Sequence, residues 1–195
     1  MKRTIMKHTK KLSAFKLSVC GIFLIVAIAA TFLKVKDYDM ISMTISDIGK
    51  TQPVWFLLWG MLTSITVLLN LFFICEKLNI KASLVYLMII NCSLSFMLPA
   101  IYVGESALSL GIHTLGVGLF GILGYSTIMY CILGYAKKNG DGRVMIFFCI
   151  LIGILVASAT AYAVFGFNGL VELILLVGAE LFMLAFDVFF KPIIV

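Results

Sequence analysis

Three ionisable residues of this chain could act together: Asp47, His113 and Glu172. One imidazole and two carboxylates can bind a cationic headgroup, a peptide or a metal ion. A histidine with a carboxylate is also the usual pair for acid–base catalysis, so His113 and Asp47 are candidate catalytic residues. A metal is the weakest of these ligands, because the only other histidine, His8, falls far away in the N-terminal tail. A structural role stays open, in which Asp47 caps a turn, His113 satisfies local hydrogen bonds and Glu172 complements a helix dipole.

A second set of polar residues, Glu180, Asn91 and Asn70, is embedded in apolar sequence. Glu180 falls in the middle of the last apolar run, where an unpaired charge in lipid costs on the order of several kcal/mol. Because Glu172, Glu180 and Asp187 share one helix face at 100° per residue, that face is expected to point inward. Asn91, at matching depth in another run, is the expected partner of a protonated Glu180. Glu180 either marks a proton or transport path or makes a structural hydrogen bond between helices. Asn70 is expected to make a structural hydrogen bond of the second kind.

Long apolar runs must position all of these residues. The chain is 63% hydrophobic and 12% charged, whereas soluble domains are about half apolar and about a quarter charged. A membrane-spanning helix needs about 20 apolar residues. Six runs satisfy this: 17–35, 54–75, 82–103, 107–135, 144–167 and 170–190. The predicted fold is an all-α, six-helix transmembrane bundle that forms a single integral membrane domain over residues 1–195.

The first run has an alternative interpretation as a cleavable signal peptide. A basic start, an apolar stretch and Ala27-Ile28-Ala29 are typical of such leaders. Because the apolar run continues to Leu33, we favour a membrane helix.

The basic residues predict the orientation of the bundle. Twelve Lys and Arg residues fall in the two tails and in the second and fourth loops, while Lys34, Lys36 and Lys50 fall in the first loop. Cytoplasmic segments carry the excess of basic residues. The expected protein is therefore a multi-pass cell-membrane protein with both termini in the cytoplasm.

The first outer loop is the longest connection and is expected to be ordered. Ile41, Met43 and Ile45 alternate with polar residues, which predicts an extended segment, and Asp47 and Gly49 predict a turn. His113 lies about 9 Å into helix four at 1.5 Å per residue, and Glu172 begins helix six. With Asp47 above them, these side chains predict a ligand pocket at the outer leaflet.

Helix four is rich in glycine, and Thr114, Gly118 and Gly121 lie close to one face. Small residues let helices approach closely in lipid. Tight packing inside the bundle is the favoured interpretation, and a homo-oligomer formed through this face is the alternative.

Several kinds of ligand and chemistry are not expected. The chain has no glycine-rich phosphate-binding loop and no HExxH motif, so no cofactor or metal is expected. The basic tail contains a single aromatic residue, Phe15, which argues against stacking on nucleic acid. The five cysteines fall in or at the ends of apolar runs and are interpreted as packing residues.

Several short motifs are spread across most of the chain: Ile45-Ser46-Asp47-Ile48-Gly49, Pro53, Phe56 and Gly60, Phe96 and Pro99, Ile112-His113, and Gly169-Leu170-Val171-Glu172. Together they resemble the motifs of a six-helix superfamily. It includes the damage-regulated autophagy modulators, the yeast suppressor-of-four-kinase proteins and a bacterial branch known as domain of unknown function 998. Val54 and Leu173 stand where the family often has an acidic residue and an arginine. The resemblance implies six membrane helices and a role connected with membrane lipids, lipid anchors or autophagy.

Three functions remain in view. The leading hypothesis is a non-enzymatic membrane protein that binds a lipid or peptide in an outer-leaflet pocket formed by Asp47, His113 and Glu172. The second is an enzyme acting on lipid headgroups or anchors with His113 as acid or base. The third is a small proton-coupled transporter that uses Glu180.

Overall fold

The computed structural model of the protein describes residues 39–101 and 106–190, together with Phe15, Val19 and Ile22. Of the first apolar run, 17–35, most lies outside these residues, as does the side chain of Asp187. The first membrane helix therefore stays a prediction. Within the described ranges the regular elements are six α-helices: α1 (Ile45–Thr51), α2 (Pro53–Lys77), α3 (Ser83–Ile101), α4 (Ala107–Asn139), α5 (Val144–Phe165) and α6 (Gly169–Phe189).

Local chemistry sets the ends of the long helices close to the limits of the predicted runs. Pro53 occupies the first position of α2, where its missing N–H is not needed. The Ser106 hydroxyl caps α4 by accepting from the Ser109 amide at 3.1 Å, and α4 is capped at its C-terminal end by Gly140, whose φ of 63° suits glycine. Asn168 caps α6 by accepting from the Val171 amide at 3.2 Å.

The prediction of an extended segment and a turn before Pro53 is wrong, because Ile45–Thr51 forms the short helix α1. The Asp47 carboxylate accepts from the Thr44 amide at 2.8 Å and from the Thr44 hydroxyl at 2.9 Å, which is part of a capping box. Ile45 and Ile48, three residues apart, are buried on one helical face. This cap and this spacing outweigh the alternating pattern.

Close helix contacts build the bundle around α3, which packs between α2 and α4, while α6 packs on α5 and also contacts α2. Gly60 of α2 lies directly against Ala100 of α3, so a side chain at this position would collide. The glycine-rich helix α4 packs on α3 through Gly116 and Gly124. Cβ atoms placed at Gly118 and Gly121 would meet no atom within 4 Å. Self-association through Gly118 stays a prediction.

Five of the described helices, α2 to α6, are long and apolar enough to cross a membrane. Their outward faces carry large apolar side chains, such as Val54 and Leu108, each 73% exposed, and Ile122, 66% exposed. A soluble protein avoids apolar surface of this extent, whereas hydrocarbon solvates it.

Candidate functional site

The segment before α1 lies over the start of α6. The carbonyl of Met43 accepts from the Gly169 amide at 2.6 Å, and the carbonyl of Met40 accepts from the Leu170 amide at 2.9 Å. The Asn168 side chain adds a bond to the Ile41 carbonyl at 2.9 Å. The amides of Gly169 and Leu170 lie in the first turn of α6, where backbone donors have no partner within the helix. Their bonds to the segment before α1 hold this segment in place.

Glu172 ties α1 to α6. Its Oε2 accepts from the backbone amide of Ile45, the first residue of α1, at 2.5 Å. A carboxyl oxygen that accepts a backbone N–H at a helix start satisfies one of the donors that the first turn leaves without a partner. Glu172 therefore fixes the position of α1 on the bundle.

His113 ties α1 to α3 and α4. One ring nitrogen, Nε2, lies 2.7 Å from the Ser46 hydroxyl, and the other, Nδ1, lies 3.1 Å from the Pro99 carbonyl. Because a carbonyl can only accept, Nδ1 is assigned the proton of a neutral ring and Nε2 accepts from Ser46. Both ring nitrogens thus have protein partners.

Asp47 belongs to α1 itself. Besides the cap on Thr44, its Oδ1 lies 2.7 Å from the Lys50 ammonium. Partial burial alone would raise the pKa of this carboxyl, but the hydrogen bonds from Lys50 and Thr44 outweigh it and hold the pKa below its ordinary value. Asp47 is therefore ionised at neutral pH.

The three predicted site residues thus meet at the first turn of α1, through Ile45, Ser46 and Asp47. They do so separately and not as one cluster around a ligand. Glu172 and His113 hold α1 from α6 and α4, whereas Asp47 caps α1 from within. No group of three potential metal ligands occurs among the described residues. The arrangement secures α1 on the bundle.

A cavity of about 100 Å³ lies beneath α1, between α4 and α6, and is called here the α1 cavity. Ile45 and Ser46 of α1 line it, with aromatic side chains of α2, α3 and α4 and small or aliphatic residues of α4 and α6, among them Trp59, Phe96, Gly121 and Leu176. Of the three predicted residues, Glu172 lines the cavity, whereas Asp47 and His113 do not. The lining is almost entirely apolar, which suits a hydrocarbon chain.

Two lining residues, Ser46 and Trp59, were not among the sequence candidates. The indole Nε1 of Trp59, a buried residue, has no hydrogen-bond partner among the described residues. Such a donor usually finds an acceptor when it is buried. Ser46 could not be found from spacing, because its partner His113 is 67 residues away.

Glu180 is fully buried between helices, as predicted, but the predicted partner is wrong. Its Oε2 accepts from the Asn70 side chain at 3.1 Å. Asn91 is exposed and donates to the Leu87 carbonyl of its own helix at 2.8 Å. Equal depth does not place two residues on facing sides of their helices, and the face of α3 that carries Asn91 points outward.

The helices and their apolar outward faces define a helical, multi-pass membrane protein. Comparisons with protein-family models, with curated proteins and with solved structures found no match to this chain.

Proposed function

We propose that this membrane protein binds the hydrocarbon chain of a lipid in the α1 cavity. The observation that carries this proposal is an apolar cavity in a membrane bundle, covered by a short helix that Glu172 and His113 anchor. An engineered apolar cavity of about 150 Å³ binds benzene. A volume of about 100 Å³ accordingly suits the end of an acyl or prenyl chain, not a whole lipid.

The polar atoms around the cavity support a lipid over a peptide. Ser46 and Glu172 lie at the α1 side, and the Trp59 indole N–H lies among the apolar walls. With so few polar atoms, the walls suit a hydrocarbon chain, which needs no hydrogen-bond partner. A peptide would bring several backbone donors and acceptors that these walls do not satisfy.

The proposal places α1 on the outer side of the membrane, since basic residues favour the cytoplasm for both tails. Ser42 and Lys138 are exposed and lie near opposite ends of the bundle. In intact cells, a membrane-impermeant maleimide is expected to label Ser42→Cys and to spare Lys138→Cys. The reverse pattern would place the cavity at the inner leaflet.

Two glycines of α4 offer a matched test of lipid binding. Gly121 lines the α1 cavity and Gly118 does not, yet a side chain at either position meets no atom within 4 Å at its Cβ. A leucine at 121 fills the cavity and displaces about two methylenes of ligand, each worth about 0.8 kcal/mol. We expect Gly121→Leu to weaken binding of a long-chain ester by about tenfold.

Binding is measured by native mass spectrometry of purified protein titrated with a long-chain ester, and Gly118→Leu is expected to bind like the wild type. Equal affinities in the three proteins would refute the proposed cavity. Equal losses in both variants would also refute it, because the effect would then not depend on the cavity.

A second candidate function is acyl transfer from a lipid ester, which the contact between Ser46 and His113 favours. A nucleophile 2.7 Å from a base, itself oriented by the Pro99 carbonyl, is the arrangement that covalent catalysis uses. Ser46 would attack the ester carbonyl while His113 takes its proton and returns it to the leaving alcohol.

A fluorophosphonate that modifies activated serines distinguishes the two functions. Labelling of Ser46 in the wild type, lost in His113→Gln, would favour the enzyme. An unlabelled wild type that releases no product from a panel of lipid esters would leave binding alone.

Membership of the six-helix superfamily that the motifs resemble is part of the same proposal. Its motif residues Ile45, Ser46, Phe56, Pro99 and Glu172 line the α1 cavity. A role of the family in lipid handling would agree with a lipid chain at this place.

A further inference from the structure

Glu180 offers a second site, separate from the anchors of α1. The residue lies in α6 and its side chain is fully buried. Oε2 accepts from Asn70, whereas Oε1 has no hydrogen-bond partner among the described residues. An ionised Glu180 would have one partner among the described residues, the uncharged amide of Asn70. Ionised groups inside a membrane are stable only when they are paired or hydrated.

Among the described residues, those that line the space beside Glu180 include no counter-ion. A small cavity of about 20 Å³ adjoins the carboxyl, lined by α2, α4 and α6. The residues of α2 that line it, Val67 and Leu71, are aliphatic, and those of α6 besides Glu180 are also apolar. The titratable group that α4 contributes is Tyr125, whose hydroxyl donates to the Leu175 carbonyl at 2.9 Å. A proton is therefore the cation that fits, because a metal ion needs several oxygen ligands.

The small cavity and the α1 cavity are neighbours. Phe120, Tyr125 and Leu176 line both of them. These three side chains form the partition between Glu180 and the cavity beneath α1. The small cavity exceeds the roughly 10–15 Å³ that a single water molecule needs, so a water-mediated proton transfer fits the available space.

We propose that Glu180 is a proton-binding site inside the bundle, which exchanges its proton by way of the α1 cavity. Protonation removes the charge, keeps Oε2 as the acceptor of Asn70 and leaves Oε1 as a donor towards the small cavity. This proposal does not depend on lipid binding, since it concerns the protein's own carboxyl and water.

Infrared difference spectroscopy of the protein in lipid vesicles tests the site. The spectrum of the wild type minus that of Glu180→Gln is expected to contain the C=O stretch of a protonated carboxylic acid at neutral pH. Uniform ¹³C-glutamate labelling of the wild type shows that the band belongs to a glutamate, and its absence from Glu180→Gln assigns it to Glu180. A difference spectrum that contains only carboxylate bands would overturn the proposal. Loss of the acid band when sodium replaces another monovalent cation at constant ionic strength would also overturn it.

The exchange route is tested by transfer into D₂O, which shifts the acid band as deuterium replaces the proton. Gly121→Leu fills the α1 cavity and is expected to slow the shift by at least about tenfold. Gly118→Leu, outside the cavity, is expected to leave the rate unchanged. A band that never shifts would mean a trapped structural proton, and equal rates in all three proteins would rule out this route.

Discussion

Replacing Glu172 by alanine should loosen α1 without unfolding the bundle. The change removes the acceptor of the Ile45 amide, which lies 2.5 Å from Oε2, and Ile45 is 5% exposed. A buried backbone N–H that is left without an acceptor costs about 1–3 kcal/mol. The anchor through His113 and the cap through Asp47 remain, so the effect is local. Local opening of α1 should become roughly 5- to 150-fold more frequent.

Amide hydrogen exchange of the purified protein measures this opening directly. Protection of residues 45–51 should fall by that factor in Glu172→Ala. It should fall less than about tenfold in Glu172→Gln, which keeps a neutral acceptor. Glu76→Gln, an exposed substitution near the far end of α2, is the control and should leave α1 unchanged. Wild-type protection of α1 in a folded Glu172→Ala protein would refute the role of Glu172 as an anchor.

Three further predictions concern stability. The pKa of Asp47 is lowered, so its ionised carboxylate stabilises α1 at pH values above the ordinary aspartate pKa of about 3.9. This stabilisation is lost as the pH falls through the lowered pKa. Exchange protection of α1 should therefore depend less on acid pH in Asp47→Asn, and equal pH profiles would contradict this. The leucine of Gly116→Leu would collide with α3 and should reduce the free energy of unfolding by about 1–3 kcal/mol, whereas Gly118→Leu should not reduce it. Equal melting temperatures of the two variants would contradict the packing of α4 on α3. Asn70→Ala removes an interhelical hydrogen bond of about 0.6 kcal/mol or more, whereas Asn91→Ala does not. The melting temperature of Asn70→Ala should therefore be lower than that of Asn91→Ala. The opposite order would be incompatible with the structure.

The helices could be predicted because a single physical requirement dominates them. Hydrocarbon demands long apolar runs with satisfied backbones, and such runs can be counted along a chain. The bounds of α2 to α6 follow from this requirement and from Pro53, Ser106 and Gly140 at helix ends. The short helix α1 escaped prediction because Ile41, Met43 and Ile45, before and at its start, alternate with polar residues. The cap between Thr44 and Asp47 and the spacing of Ile45 and Ile48 decide in favour of a helix.

The candidate site could be predicted only in part. The sequence predicted that Asp47, His113 and Glu172 lie at one level, and all three make hydrogen bonds at the start of α1. The partners of Glu172 and His113 are a backbone amide and a serine hydroxyl on another helix, and such contacts carry no sequence signal. Asn70 could not be distinguished from Asn91 as the partner of Glu180, because depth follows from chain position whereas helix rotation follows from packing.

Binding of a lipid chain beneath α1 is tested most directly by locating the chain itself. A long-chain ester with a photoactivatable diazirine at the end of its acyl chain can be cross-linked to the protein in vesicles, and the modified residues mapped by mass spectrometry. We expect adducts on the cavity residues Val117, Phe120 and Leu176 that excess unlabelled ester suppresses. Adducts confined to outward-facing positions such as Leu119 and Ile122, insensitive to competitor, would contradict the proposed site.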